Sequence, residues 1–323
     1  MITITSKIAA TWFGRYWDEH YQLRFNTEMK NTVQLLTLGR SGGTFLKNIL
    51  DRSPNLAMAG EMHIINPFSH NLGLFEWFSY VENSDNPKNA LIEILFIRKK
   101  FPGRILGSFW NELEKYIDCD SFIENLNNGD LSNPIKFVEK VLRTMSTEKD
   151  KEKYGIHYPV HPIKAGVIRD WWPESKIIYL DRHPCAIIAS KLFHSSTLKR
   201  KRKYWFVKPF IHYGFILYII LNHILVSRSI SFMVNCLVIS HEELKRSPEK
   251  IIKKLCNFCD INYTKEMLQA DGKRSSFSGN KKVSSLVSTY RWKFVLSDFE
   301  KNIILRLTRN SRNFFLNFNS RDK

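Results

Sequence analysis

The sequence predicts an α/β fold in which helices flank a central parallel β-sheet. Signals for short buried strands alternate with helical patterns along the chain, as in proteins built from strand–helix units. Hydrophobic residues form 43% of the 323 residues, which is enough to bury a sizeable core and excludes a wholly disordered chain. We expect a single domain over 1–323, with its core at 33–309 and a mostly helical insertion at about 66–155.

The first strand–helix unit is predicted at residues 33–51. The apolar run VQLLTL at 33–38 ends at Gly39 and suits a buried strand. Residues 44–51 have helical periodicity, and the same face carries four apolar side chains: Phe45, Leu46, Ile49 and Leu50. The connection between the two elements is therefore a short glycine-containing loop.

Two further strands are predicted in the second half of the chain. They are KIIYL at 176–180, with a helix beginning near Pro184, and NCLVIS at 235–240. Between about 66 and 155 the pattern is irregular and mostly helical, and the polar stretch 125–133 predicts a loop.

Two later helices carry start signals. Ser247 suits an N-cap, Pro248 suits the first helical position and Glu249 favours the positive end of the helix dipole. Ser297 and Glu300 have the spacing of a capping box.

The charge balance favours an anionic partner without identifying it. Lys and Arg total 49 against 31 Asp and Glu, a formal net charge of +18. Nucleic acid, a membrane surface, an acidic glycan and a charged nucleotide all bind basic proteins.

Five cysteines without a secretory leader suggest a reducing cytoplasm. Cys256 and Cys259 form a CxxC without a second pair, which favours packing over a zinc or redox site.

The apolar segment 210–226 leaves three interpretations open. It reads FIHYGFILYIILNHILV and follows the basic run 199–203. It predicts a buried helix, a helix lying on an anionic bilayer, or a transmembrane helix that would be slightly short. We therefore expect a cytoplasmic protein and leave a peripheral membrane contact through 199–226 open.

The loop after the first strand has the composition of an anion cradle. In Gly39-Arg40-Ser41-Gly42-Gly43-Thr44, glycines let the backbone N–H groups point into one concavity at the start of a helix. Arg40 can add a charged fork and Thr44 a hydroxyl. The loop is not a Walker A motif, because no lysine follows Gly43. A purely structural tight turn would have the same composition.

A second anion site is predicted where the strand at 176–180 ends. Arg182 leaves this strand, and Ser190 lies two turns into the helix expected from Pro184. Open α/β sheets bind ligands beyond the carboxyl ends of their strands. Arginine binds phosphate with two hydrogen bonds and serine can donate one more.

These motifs together resemble the sulfotransferase family that uses 3′-phosphoadenosine 5′-phosphosulfate. GRSGGTFL at 39–46 is similar to the family's 5′-phosphosulfate loop, written RSGTT. WPESK at 172–176, the strand that follows, and Arg182, Pro184 and Ser190 resemble its 3′-phosphate motif, FPxxK-strand-RxPxxxxxS. The segment 239–249 resembles its strand-to-helix "yEdL…P", and residues 275–277 and 290–293 resemble its nucleotide-closing loop.

The resemblance implies a three-layer P-loop-like fold and a set of site residues. The donor would leave as adenosine 3′,5′-bisphosphate, and no metal is expected. Arg40 would stabilise the charge that develops as the bond to sulfur breaks. The nucleotide-binding residues that the resemblance implies are Arg40, Ser41, Gly42, Gly43, Thr44, Phe45, Arg182, Ser190, Ser276 and Arg291. For Ser276 and Arg291, a solvated basic face is the alternative.

In-line transfer to a hydroxyl also requires a general base. A Glu in a "GE" segment at this point of the chain resembles the base of tyrosine-type and bacterial relatives, so Glu61 is the first candidate. His63 would share its side in an extended segment and could act as the base or orient the acceptor. An ion-pairing or capping role for Glu61 and an ordinary polar contact for His63 remain open.

The chain departs from the family pattern at several positions. His157 stands where relatives have the Lys of a "KTP" segment that contacts the sulfate side. Either His157 substitutes for it, or the nearby Lys164 reaches in, or that contact is missing. His241 occupies a position where a Tyr is common, and Gly43 replaces the first Thr of RSGTT. These departures put the details of charge stabilisation in doubt.

The leading hypothesis is a sulfotransferase that acts on a hydroxyl of a carbohydrate or glycolipid. The carbohydrate part rests on resemblance to bacterial and Golgi-type relatives. One alternative is a P-loop kinase using ATP and magnesium, against which the missing Walker lysine argues. Another is a nonenzymatic membrane- or nucleic-acid-binding protein, although no nucleic-acid-binding motif accompanies the basic runs. We expect no nucleic-acid partner.

Overall fold

The computed structural model describes most of the predicted core. The described residues are 32–61, 84–90, 114–131, 134–159, 168–169, 172–192, 208–233, 235–269 and 290–318.

A parallel five-stranded sheet forms the centre of the described structure, which confirms the predicted fold class. The strand order is β2-β3-β1-β4-β5, and every neighbouring pair is parallel. The strands are β1 (Thr32–Thr37), β2 (Leu56–Glu61), β3 (Lys153–Pro159), β4 (Lys176–Asp181) and β5 (Cys236–Ser240).

Helices cover both faces of this sheet. In chain order they are α1 (Gly43–Leu50), α2 (Cys119–Glu124), α3 (Pro134–Glu148), α4 (Pro184–Leu192), α5 (Lys208–Ile230), α6 (His241–Arg246), α7 (Pro248–Cys259), α8 (Trp292–Val295), α9 (Asp298–Leu307) and α10 (Arg309–Asn317). A 3₁₀ turn spans Lys265–Gln269.

Side chains that alternate along the strands divide the core into two layers. Leu35 and Ile178 point to one face, where they pack with α1, α6 and α7. Their neighbours Leu36 and Tyr179 point to the other face, which α2, α3, α4, α5 and the C-terminal helices cover. Burial on both faces is the usual state of a parallel sheet, and it explains the continuous apolar runs of β1 and β4.

Two strands were not predicted. β3 begins at Lys153, inside the stretch expected to be a helical insertion, so that insertion ends earlier than 155. Its sequence KYGIHYP lacks an apolar run, yet it lies between β2 and β1. Gly155 allows this close packing, since a Cβ there would lie 2.5 Å from both Met58 Sδ and Val33 O.

Residues 125–131 form turns, as the polar stretch indicated.

The CxxC packs in the core, as predicted. Cys256 and Cys259 lie on the buried face of α7. Burial raises the pKa of the Cys256 thiol to about 11, and its sulfur contacts Met267 Sδ at 3.9 Å. Both thiols are thus protonated and apolar in character.

One predicted cap is confirmed and one is corrected. Ser297 N donates to Glu300 Oε2 at 2.7 Å, and Glu300 N donates to Ser297 Oγ at 3.3 Å, which completes the capping box of α9. Pro248 begins α7 as expected, but within the described residues the side chain of Ser247 makes no capping hydrogen bond. Ser247 also ends α6, where its N–H donates to Glu243 O at 2.8 Å, and this double role fixes its backbone.

The two serines allow a matched test of capping. We expect Ser297→Ala to lower the free energy of unfolding by about 1 kcal/mol, because it leaves the N–H of Glu300 without its acceptor. Ser247→Ala removes the same hydroxyl without breaking a cap and should cost less than about 0.5 kcal/mol. Urea denaturation measures both values, and equal losses would contradict the assignment.

Candidate functional site

The candidate site lies where the order of the strands reverses. After β1 the chain builds β2 and β3 on one side and then β4 and β5 on the other. The carboxyl ends of the adjacent strands β1 and β4 therefore open into one crevice, the usual ligand position in open parallel sheets. The glycine loop at 39–43 leaves β1, and Arg182 leaves β4, so the structure brings both predicted anion sites to this crevice.

The glycine loop curls tightly between β1 and α1. Arg40 and Gly42 have positive φ angles of 77° and 97°, a left-handed conformation that is unusual for arginine. Ser41 N donates to Leu38 O at 3.0 Å and closes the turn. Ser41 is 1% exposed, and its hydroxyl has no hydrogen-bond partner among the described residues. The loop thus holds a buried polar group ready for a ligand.

Hydrogen bonds join this loop to the end of β4. Arg182 Nη1 donates to the backbone O of Arg40 at 2.8 Å. Arg40 Nε donates to Ser190 Oγ, on α4, at 3.3 Å. Three residues from the two predicted anion sites therefore form one connected cluster.

A carboxylate at the start of α6 supports the cluster. Glu242, in the first turn of α6, accepts from His183 N at 3.2 Å and from Ser240 Oγ at 3.2 Å. Burial lowers the pKa of Arg182. The negative charge of Glu242 raises this pKa, whereas the positive charge of Arg40 lowers it further. Burial likewise raises the pKa of Glu242, against the hydrogen bond from His183 N.

Lys245 is a third basic group near the crevice that the sequence analysis did not single out. Its Nζ lies 3.8 Å from the centroid of the Phe45 ring, a cation–π contact between α6 and α1. Burial and the charge of Arg182 lower the pKa of Lys245 to about 8. Lys245 belongs to no motif or periodic pattern in the sequence. Its position near the crevice follows from the packing of α6 against α1.

Two histidines press against the glycines of the loop. A Cβ at Gly43 would lie 2.1 Å from His157 Nε2 and 2.7 Å from Thr37 Oγ1, and a Cβ at Gly42 would lie 2.6 Å from His241 Cδ2. His157 Nε2 and Thr37 Oγ1 share a hydrogen bond of 3.0 Å. Burial and Arg182 hold the pKa of His241 well below its usual range, so its ring is neutral. The ring of His157, on β3, therefore lies against the loop at Gly43.

The remaining predicted residues are placed in part. Glu61 ends β2 and lies in register with His157, at the carboxyl edge of the sheet. Arg291 is exposed just before α8. The next residue, Trp292, stacks on His183 with a centroid distance of 4.5 Å, so this segment reaches the turn after β4. His63, Lys164 and Ser276 lie outside the described residues.

Thr44 and Phe45 occupy the first turn of α1, directly after the loop. Phe45 is partly buried against the core layer formed by α1 and α7. Its ring also lies under the ammonium group of Lys245, so it connects that lysine with the start of α1.

Gly43 and Gly39 give a test of the loop packing. Gly43→Ala should lower the free energy of unfolding by about 1–3 kcal/mol, because the new methyl group overlaps the buried His157 and Thr37. A Cβ at Gly39 meets nothing within 4 Å, so Gly39→Ala should change it by less than about 0.5 kcal/mol. Urea denaturation distinguishes them, and an unaffected Gly43→Ala variant would show that His157 does not fill this space.

Comparison with known proteins identifies the family. A model described as "Sulfotransferase domain" matches residues 30–301. The 3-beta-hydroxysteroid sulfotransferase of Cavia porcellus is 27% identical over 141 residues, which cover 41% of this chain and 47% of that protein. The match thus spans about half the length of this curated relative.

Two solved structures have the same fold. The sulfotransferase domain from the curacin biosynthetic pathway is 16% identical, with a TM-score of 0.50 over 87% of this chain and 98% of that one. The sulfotransferase domain from the Synechococcus PCC 7002 olefin synthase is 15% identical, with a TM-score of 0.51 over 89% and 96%. At these identities the likeness concerns the fold alone. Because the family model covers most of the chain, including both loops of the crevice, this protein belongs to the sulfotransferase domain family.

Proposed function

We propose that this protein transfers a sulfuryl group from 3′-phosphoadenosine 5′-phosphosulfate to an acceptor hydroxyl. One observation carries the proposal: Arg182 binds the backbone of Arg40, whose guanidinium binds Ser190. The cluster joins two anion-binding segments from adjacent parallel strands. A nucleotide with separate 5′ and 3′ acidic groups matches two such neighbouring sites.

The residues of the crevice fit such a donor. Arg40, Arg182 and Lys245 collect there, and Glu242 is the described carboxylate that interacts with Arg182. The crevice therefore has an excess of positive charge that an anionic ligand would neutralise. The hydroxyl of Ser41, buried without a described partner, is a further donor for it.

When bound, the donor would supply an activated sulfuryl group attached to a phosphate leaving group. Following the family resemblance, the loop backbone with Arg40, Ser41 and Thr44 would bind its 5′ side. Arg182 and Ser190 would bind its 3′-phosphate, and Ser276 and Arg291 would close over it. Arg40 would stabilise the negative charge that develops on the leaving oxygen.

Glu61 is proposed to take the proton of the acceptor hydroxyl. Its support is the resemblance of the Gly60-Glu61 segment to relatives and its backbone position at the carboxyl edge of the sheet, beside His157. A carboxylate there would leave the hydroxyl more nucleophilic as the new oxygen–sulfur bond forms. His63 is proposed to orient the acceptor or to share this role.

We propose a carbohydrate or glycolipid as the acceptor, on the resemblance to bacterial and Golgi-type relatives. The curated relative is named as acting on a 3-beta-hydroxysteroid. Sulfate transfer assays should therefore compare glycans, glycolipids, a steroid alcohol and tyrosine peptides. Transfer to the steroid alone would overturn the carbohydrate assignment but leave the proposed reaction intact.

Nucleotide binding tests the crevice directly. In titration calorimetry with adenosine 3′,5′-bisphosphate, Arg182→Ala should weaken binding by about 10- to 100-fold, the loss expected for a charge-assisted hydrogen bond. Arg228→Ala is the matched control, because Arg228 is exposed near the end of α5, where the chain returns to the amino end of β5. It should bind like the unmodified protein.

The same titration separates the proposed donor from ATP. We expect binding of adenosine 3′,5′-bisphosphate to be unchanged by EDTA. Binding of ATP that depends on magnesium, without binding of the bisphosphate, would replace the sulfotransferase proposal with a kinase.

The base is tested by separating binding from transfer. Glu61→Ala should bind adenosine 3′,5′-bisphosphate with unchanged affinity but transfer sulfate about 10²- to 10⁴-fold more slowly, the usual contribution of a general base. Radiolabelled sulfate transfer to the best acceptor of the panel measures this rate. A variant with full transfer activity would remove Glu61 from the mechanism.

A further inference from the structure

Helix α5 presents an apolar stripe to solvent. It is 23 residues long, which corresponds to about 35 Å at 1.5 Å per residue. Most neighbours in this stripe are three or four residues apart, with Tyr218 beside Leu217, and its side chains are 43–79% exposed: Phe210, Tyr213, Leu217, Tyr218, Leu221 and Leu225. Solvent-facing positions of a helix in a water-soluble protein are normally polar, so this stripe marks a candidate interaction surface.

The opposite side of α5 is fixed to the fold. Ile216, Ile219 and Val226 are buried in the core, and His223 Nδ1 shares a hydrogen bond of 2.8 Å with Ser311 Oγ on α10. His223 Nε2 lies 3.4 Å from Asp181 Oδ1 at the end of β4. The segment Pro209–Ile230 is long and apolar enough to cross a membrane. However, 39% of its most apolar 18-residue stretch is buried inside the protein. The buried side of α5 therefore packs as part of the fold, which favours a helix lying on a surface over one that crosses a bilayer.

The charge that α5 itself presents is basic, although Glu300 of α9 contacts His212 near its first turn. The sequence of α5 contains no Asp or Glu, and exposed Arg228 lies in its last turn. The five-residue basic run 199–203 ends five positions before the helix begins, in a chain with a net charge of +18. A helix with an apolar face, interfacial tyrosines and basic flanks matches the surface of an anionic bilayer.

We propose that the stripe of α5 binds the interfacial region of an anionic lipid bilayer, with the helix lying in the membrane plane. The apolar side chains enter the headgroup boundary, and basic residues contact lipid phosphates. A second copy of this chain is the competing occupant of the stripe. Pairing two copies through it would bring two basic surfaces together, which charge repulsion opposes.

The orientation of α5 relates this surface to the crevice. His223 contacts the carboxyl end of β4, and the chain then returns to Asn235, whose O accepts from Ile177 N at the amino end of that strand. The first half of α5, which carries Phe210 to Tyr218, therefore lies toward the carboxyl edge of the sheet. That is the edge at which the candidate site opens.

Vesicle co-sedimentation tests the proposal with the full chain. We expect binding to vesicles of phosphatidylglycerol and phosphatidylcholine, weak binding to pure phosphatidylcholine, and weaker binding in high salt because salt screens the charge attraction. Absence of binding, or equal binding to both vesicles, would overturn the proposal.

Two variants separate the apolar and the charged contributions. Leu217→Gln combined with Leu221→Gln should lower the lipid partition coefficient at least about tenfold, whereas Leu316→Gln, exposed on α10, should leave it nearly unchanged. Arg228→Glu should weaken anionic binding more than Lys254→Glu, an exposed residue of α7 on the other side of the sheet. All four variants should keep the melting temperature of the unmodified protein.

Equal effects of the stripe variants and their controls would show that α5 is not the lipid-binding face. Sedimentation velocity addresses the competing occupant. A dimer that the two leucine substitutions dissociate, in a protein that does not bind vesicles, would assign the stripe to a second copy instead.

Discussion

The candidate site depends on the hydrogen bond from Arg182 to the backbone oxygen of Arg40, 2.8 Å long. It connects the turn after β4 with the loop after β1, at the point where the strand order reverses. The bond places two guanidinium groups close together, and Arg40 accordingly lowers the pKa of Arg182. The two positive charges repel each other in the partly buried crevice. The backbone geometry therefore holds an arrangement that a bound anion would stabilise.

The departures from the family pattern form a consistent set in space. Gly43 stands where relatives have a threonine, and His157 stands where they have a lysine. A Cβ at position 43 would overlap His157 Nε2, so glycine and histidine accommodate each other. The same relation holds between Gly42 and His241. Along the sequence these are separate departures from the family motifs. In the structure each glycine lies against one histidine, and the two pairs keep the loop packed.

The sequence predicted the elements whose signal is local. β1, β4 and β5 are apolar runs, and the capping box of α9 depends on residues three positions apart. Each of these elements could therefore be predicted from a few consecutive residues. β2 and β3 were missed because their burial depends on their neighbours in the sheet, as Gly155 against Val33 and Met58 shows. Lys245 was missed for the same reason, since its position follows from the contact with Phe45. Ser247 occupies the predicted N-cap position of α7, but its side chain makes no capping hydrogen bond within the described residues.

The net charge of +18 divides into two parts with different physical behaviour. Arg40, Arg182 and Lys245 lie in a partly desolvated crevice, where salt screens the interactions among them less than it does at the surface. They account for only a small part of the excess. An exposed charge such as Arg228 acts in water, where the Debye length at physiological ionic strength is about 8 Å. Higher ionic strength should weaken the binding of both a multiply charged nucleotide and an anionic bilayer, and the partly buried contacts of the crevice should lose less of their strength than those of the α5 surface.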